Sequence, residues 1–475
     1  MASKGPGRTP SRAARTVNRC PRNRIRRAEP VMTLDKPDHA AAPPGEPRPD
    51  DARLPFWPMV LLGIQHTLVM YAGAVVVPIV VGAALGLTAG QIADLVSIDL
   101  VLAGIGTLLQ AGGVWKFGIR MPLVVGAASS GIAPMIAVGH SRGLPTVYGS
   151  LLVAGVVWVL AAPYFSMLLR LFPAVVTGTV ITLIGLTLLP VGIRLVAGSD
   201  SSASDYGRLS HIALAAATIA LMVVFRRFLR GLLGQLSILL ALVIGAIAGW
   251  ATGIGTLAHV EDGSIVGIIG PMHFGAPRFD IPSILLFLVI VFVLMVEGSG
   301  QGLAVGQVVG KPVGPEEITR LLRVDGLMTL CSGFCNGFVY TTFGQNIGLI
   351  AMTRVRSRYP VVVVGVLLIV CGVLRPVGRV AAAIPAPVIG AAAIMTFGAL
   401  AVSGIQILAR VDFERPANLT IVMVSLGVGL VPAFAPGCYR QLPEFAAVFL
   451  GSGVATGTLL AVALNAAFHP RLTNS

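Results

Sequence analysis

The 475-residue chain is 55% hydrophobic and only 11% charged, against about 25% charged in an ordinary soluble domain. With a mean hydropathy of +0.86, 57 Gly and 32 Pro, it describes many apolar helices broken at intervals, because Gly and Pro are tolerated in membrane helices whose neighbours satisfy the freed backbone groups. A soluble enzyme is excluded, and the fold class is an all-α polytopic membrane protein.

The net charge of +14 is concentrated at the amino end, where residues 1–30 hold nine Lys and Arg against one acid, Glu29. This stretch and the Pro-rich run that follows it predict a disordered basic tail over residues 1–55. It lacks the apolar middle of a signal peptide. A solvated cytoplasmic tail, or a start at Met32, accounts for it better than a nucleic-acid-binding or lipid-binding arm, so no nucleic-acid partner is expected. The five cysteines (Cys20, Cys331, Cys335, Cys371, Cys438) show no metal-ligand spacing, and no metal site is predicted.

From Trp57 onward, segments near the roughly 20 residues needed to span a bilayer recur steadily. Taken in order they are Trp57–Val80, Ile92–Gln110, the interrupted Pro122–Gly139, Thr146–Phe165, Phe172–Pro190, His211–Phe225 and Leu233–Gly253. After a polar connection over residues 256–280 come Ile281–Val296, the interrupted Gly326–Val339 and Thr341–Met352, then Tyr359–Val373, Pro385–Leu408, Leu419–Phe434 and Phe445–Phe468. About fourteen spans result. With both termini cytoplasmic, sixteen Lys and Arg beyond residue 50 fall inside and seven outside, as cytoplasmic loops require.

Phe172–Ile193 resembles Ile384–Ile405 at an offset of 212 residues, matching Pro173 with Pro385, Ala174 with Ala386, Val176 with Val388, Gly178 with Gly390 and Gly192 with Gly404. These are the fifth and twelfth spans. Seven spans separate them, and an odd number inverts the second copy, so the chain reads as two inverted seven-span repeats, residues 56–255 and 281–468. The short third and tenth segments also correspond, and paired broken segments point to a midplane binding site.

Five acids lie in or beside apolar segments: Asp94, Asp99, Glu297, Asp325 and Glu444. Glu297 follows thirteen unbroken apolar residues, where a charge near the bilayer centre costs about 3 kcal/mol or more. Its sequel, Gly298-Ser299-Gly300-Gln301, predicts exposed backbone at a cavity rather than a helix end snorkelling to the surface. Gln345 and Asn346 offer both donors and acceptors, suited to the edge of a planar heterocycle, or alternatively to helix-to-helix bonding. His66, after Gln65 in the first span, is either a proton-titrating group or a packing residue.

The run Gln345-Asn346-Ile347-Gly348-Leu349-Ile350-Ala351-Met352-Thr353-Arg354 resembles the signature of the nucleobase/ascorbate transporter family at every fixed position. Gln65-His66, Asp99, Glu297, Asp325-Gly326 and Pro385-x-Pro387-Val388-x-Gly390 are similar to that family as well. The resemblance implies a core domain (spans 1–4 and 8–11) moving against a gate domain (spans 5–7 and 12–14), and a homodimer in the bacterial inner membrane. It further implies that substrate sits between the third and tenth segments, against the eighth. Carried over, Glu297 would accept N–H groups of the base and Gln345 would bond its other edge. Backbone of Gly344 and Ala128 would contribute beside Ser129 and Phe343. Asn346, His66, Gln301, Asp325 and Asp99 would support the site or couple protons, with no cofactor.

Gln at the first signature position implies xanthine or urate, where Glu would imply uracil. Two departures stand out. Gln301 occupies a position where relatives carry an ionisable group, and Gly126-Ala127-Ala128-Ser129 lacks the aromatic of a Gly-x-Ser-Phe pattern. Base stacking on an aromatic is worth about 1–3 kcal/mol, so either Phe343 or Tyr340 replaces it or the substrate is not a standard purine. An anion channel or exchanger on an inverted-repeat fold is the competing class, and it would want a cation in the tenth segment, whereas none lies between Arg323 and Arg354. A membrane enzyme would need a catalytic cluster that the spacing of His, Cys and Asp does not provide.

Overall fold

The computed structural model describes Met1 and residues 51–52, 54–165, 172–198, 203–256, 264–435, 437–439, 441–443, 446 and 450–469. Nearly all of the tail expected to be disordered therefore lies outside the described residues, as do Glu444 and Phe445. In chain order the elements are α1 (Phe56–Ala84), α2 (Ala89–Gly112), β1 (Val125–Ala127), α3 (Ile132–Arg142), α4 (Leu144–Ala161), α5 (Ala174–Ala197), α6 (Leu209–Phe228), α7 (Gly231–Gln235) and α8 (Ser237–Ala251). They continue with α9 (Ile281–Val309), α10 (Pro315–Cys335), β2 (Tyr340–Thr342), α11 (Gln345–Thr353), α12 (Tyr359–Val373), α13 (Arg375–Ala382), α14 (Ala386–Leu408), α15 (Pro416–Phe434) and α16 (Gly453–Phe468).

Among the described residues, eight helices are long and apolar enough to cross a membrane: α1, α2, α4 with its 3-10 extension to Tyr164, α5, α6, α9, α14 and α15. Three more, α8, α12 and α16, are apolar but shorter. The fold is mostly helical, and the third and tenth expected segments are indeed broken. In each a three-residue buried strand precedes a short helix, and the two strands pair antiparallel, Val125 opposite Thr342, Gly126 opposite Thr341 and Ala127 opposite Tyr340. The pairing satisfies backbone that has left the helical ladder, as irregular chain inside an apolar interior requires. Its ends are pinned by Ala128 N donating to Val339 O (2.8 Å) and Phe343 N donating to Val124 O (2.7 Å).

Two expectations are corrected. The stretch Gly326–Val339 is not an interrupted span, because it continues a 21-residue helix, α10, begun at Pro315 and capped by Glu317, whose Oε2 accepts from Gly314 N at 2.9 Å. Glu316, Glu317, Arg320 and Arg323 occupy its first half, which is why only the second half registers as apolar. Nor does the eighth span end at Val296, since α9 runs on through the Gly-Ser-Gly run to Val309. Gly298 serves packing rather than an opened backbone, because a Cβ there would stand 3.2 Å from Oδ2 of Asp325 and 3.5 Å from the Thr341 hydroxyl.

Helices α5 and α14 begin at Ala174 and Ala386, 212 residues apart as the sequence repeat requires, and each is entered from a proline, Pro173 and Pro385. They pack on each other through small residues that let backbones approach. Gly404 lies against Thr182 and Gly178, while its counterpart Gly192 lies beside Gly390. The same reciprocity relates α2 against α12 to α4 against α10, and α6 against α8 to α15 against α16. Tyr148 and Trp158 of α4, Phe287 of α9, Phe338 and Tyr340 are among the largest fully buried side chains.

Candidate functional site

Where the two strands meet α9 and α10, polar groups gather in an otherwise apolar interior. Glu297 is half-buried on α9. Its Oε2 accepts from the Ser130 hydroxyl at 3.4 Å and its Oε1 from the Gln301 amide, one helical turn later, at 3.3 Å. Both bonds are at the long end of the accepted range, so the carboxylate keeps lone-pair capacity for further N–H donors. Ser130 belongs to the 3-10 turn Ser129–Gly131 that follows β1, which is how the broken third segment reaches a residue in the second half of the chain.

On the neighbouring helix α10, Asp325 is fully buried. It accepts from Gln110 Nε2 (3.3 Å, Oδ1) and from the Thr341 hydroxyl (3.4 Å, Oδ2). Gly298 brings α9 directly against it, so the Glu297 helix, α10 and β2 are held as one unit. Gly344, at the start of α11, faces the Gln301 side chain, where an added Cβ would stand 3.5 Å from Nε2. The structure thus brings Glu297, Gln301, Asp325, Gly344 and the turn at Ala128 and Ser129 into one polar neighbourhood.

Other expected residues stand differently. Asp99 is buried on α2 and accepts from the Tyr340 hydroxyl at 2.8 Å, a pair formed on the opposite strand face from Thr341. The Tyr340 hydroxyl is therefore engaged by Asp99, and the side chain is fully buried. Phe343 lies with its ring wedged between α1 and β1, where a Cβ on Gly73 or Gly126 would come within 2.7 Å of it. The N–H of Ala128 is taken by Val339 and its carbonyl by Gly131 N at 3.0 Å, which leaves its main-chain donor engaged. The side chain of Gln345 lies outside the described residues, and its backbone opens α11. His66 is buried on α1 with no partner for Nδ1, and Asn346 is buried with neither amide atom bonded. Together with Oε1 of Gln301 and the Thr342 hydroxyl, they carry unused hydrogen-bonding capacity, which is costly in an apolar interior at about 1–3 kcal/mol per group.

Ser130, Thr341, Gln110 and the Tyr340–Asp99 pair were not singled out by sequence reasoning as parts of these bonds. The strand pairing and the packing of α2 on α10 bring them to their partners, and nothing in local spacing announces either. Among the described residues no group of three or more His, Cys, Asp or Glu could hold a metal ion.

The model of a family described as the Permease family matches residues 58–438. The xanthine permease of Bacillus subtilis (strain 168) is 38% identical over 414 residues, covering 87% of this chain and 94% of that protein. The uric acid permease PucK of the same organism is 35% identical over 420 residues, covering 88% and 97%. The uric acid transporter UacT of Escherichia coli (strain K12) is 38% identical over 415 residues, 86% of each chain. Among solved structures, the transmembrane domain of the cyanobacterium bicarbonate transporter BicA aligns with a TM-score of 0.53 at 16% identity, over 87% of this chain and 98% of that one. SLC26A9 aligns at 0.58 and 12% identity, over 86% and 65%. At such identities these two speak for the fold alone. Family match, identity over most of both chains and the many apolar helices agree: this chain is a multi-pass integral membrane transporter, not an enzyme, and belongs to the Permease family, the nucleobase/ascorbate transporters that its signature run resembles.

Proposed function

We propose that the protein carries an oxopurine, xanthine or urate, across the bacterial inner membrane in symport with protons. The observation that carries this reading is Glu297, an acceptor with free lone pairs held between Ser130 and Gln301 where the two broken segments meet. An oxopurine presents adjacent ring N–H and carbonyl groups, and a carboxylate facing an amide is their complement. The names of the relatives, xanthine permease, uric acid permease and uric acid transporter, support the same class. Gln345 bonds the second edge of the base, while Gly344, Ala128, Ser129 and Phe343 wall the site. Asn346, Asp325, Asp99, His66 and Gln301 support it or take part in proton coupling.

In this reading the chain is fourteen spans in two inverted repeats with both termini cytoplasmic. Spans 1–4 and 8–11 form a core that moves as an elevator against a gate of spans 5–7 and 12–14, in a homodimer. The reciprocal contacts of α5 with α14 and the antiparallel β1–β2 pair support the inverted repeat. Uracil is the runner-up substrate. An anion exchanger or channel on the same fold is the alternative class, yet β2 and α11 carry no Lys or Arg.

Radiolabelled xanthine and urate uptake, with and without a proton uncoupler, tests the reading. Saturable uptake abolished by the uncoupler is expected. Chloride or bicarbonate flux without purine uptake overturns it.

A further inference from the structure

A fully buried amide bonds Oδ1 of Asp325, while Gly298, next to Glu297, lies against Oδ2. Gln110, two residues before the end of α2, is 0% exposed. Its Nε2 donates to Leu321 O at 3.0 Å and to Asp325 Oδ1 at 3.3 Å, and its Oε1 accepts from Ile119 N at 3.3 Å. Its own carbonyl accepts from Arg120 N at 3.0 Å. Because a main-chain N–H can only donate, the Ile119 bond fixes which way the amide points: oxygen to the loop, NH2 to α10.

The loop that delivers Ile119 is held tightly. Gly118 has φ +85, and an added Cβ would run into Leu109 O, while its N–H donates to Arg320 O at 3.1 Å. Gln110 is thus a three-way joint between α2, the loop after it and α10. Among the described residues, the donors facing Asp325 are Gln110, the Thr341 hydroxyl and the Thr342 main chain, with Glu297 the neighbouring charge.

We infer that Gln110 is a positioning residue for transport: by holding Oδ1 of Asp325 it turns Oδ2 toward Thr341 and Gly298, beside Glu297. It does not touch the Glu297 carboxylate, so it governs turnover rather than recognition. This rests on the transport reading above. An isostere that cannot donate leaves Leu321 O and Asp325 Oδ1 short of a proton each. A carboxyl at the same place donates only while protonated.

The test is labelled xanthine or urate uptake by the full chain in cells, from mildly acidic to mildly alkaline pH, normalised to the amount of protein in the membrane. Gln110→Met removes all three side-chain bonds, and losing the one that holds Asp325 is expected to lower the maximal rate about tenfold. Its KM should stay within about twofold of wild type, as for an interaction that substrate binding does not use. Gln110→Glu is expected to match that loss at neutral pH and to recover toward wild type as the pH falls, which Gln110→Met does not. Wild-type maximal rates in both variants, or a raised KM at unchanged maximal rate, overturn the inference. If Gln110→Met does not accumulate, Gln110→Glu decides alone, and a pH profile superimposable on wild type counts against it. Absence of purine uptake by the wild-type chain is the separate failure of the transport reading, and the inference falls with it.

Discussion

The hydroxyl of Ser130 stands 3.4 Å from Oε2 of Glu297, joining residues 167 positions apart. The bond ties the turn after β1 to the middle of α9, so one half of the chain helps to orient the acceptor supplied by the other. Ser130→Ala removes a donor worth about 1 kcal/mol, and the KM for xanthine or urate uptake is expected to rise about fivefold. A KM unchanged by the substitution would show that the hydroxyl leaves the carboxylate free to turn.

Glu297 itself is expected to be far less tolerant. Two N–H bonds to a carboxylate, each worth about 1.5–3 kcal/mol, amount to a loss of at least about 100-fold in uptake at low substrate for Glu297→Ala. Substrate-induced thermal stabilisation should vanish in the same variant. Uptake that persists unchanged removes Glu297 from the site.

Gly185 on α5 offers a test of how α5 packs on α14. A Cβ there meets the backbone nitrogen of Ala401, whereas a Cβ on Gly398 of α14 meets nothing within 4 Å. Gly185→Val is expected to destabilise by about 1–3 kcal/mol or more, as overpacking does, and Gly398→Val to be neutral. Thermal melting of the detergent-solubilised protein compares the two directly.

The Tyr340–Asp99 pair is a stability element at the back of β2. Oδ2 of Asp99 has no partner, so Tyr340→Phe strips the carboxylate of its side-chain donor, at an expected loss of about 1–3 kcal/mol. If the two residues act as a pair, Asp99→Asn combined with Tyr340→Phe should melt higher than the sum of the single losses predicts. Strict additivity would separate them.

Much of the architecture could be read from the residues because lipid writes its demands locally. Tyr359–Val373 coincides with α12 at both ends, since a continuous apolar run bounded by Arg358 and Arg375 leaves little choice. Pro173 and Pro385 mark where α5 and α14 begin for the same reason: each fixes φ and removes an N–H that a helix start does not need. The charged first half of α10 escaped detection because charged residues near an aqueous end look the same in a helix as in a loop. At the site, Glu297 was conspicuous through its cost in an apolar run. Ser130, Thr341 and Gln110 were not, because a hydroxyl or amide becomes meaningful only through its partner, and those partners arrive through a strand pairing and a helix packing that local sequence does not announce. Tyr340, considered as a stacking surface, is instead anchored to Asp99 at 2.8 Å, a role set by strand alternation rather than by ring chemistry.

Val125 to Ala127 find their backbone partners on Tyr340 to Thr342, which a ribosome adds only after every residue of the first half has been made. Until then the first half holds an uncovered strip of peptide groups that hydrocarbon does not tolerate. The pairing predicts that insertion of the third segment is deferred until the tenth has emerged. A truncation that stops before Tyr340 is expected to be recognised by quality-control proteases, even though it contains complete hydrophobic helices.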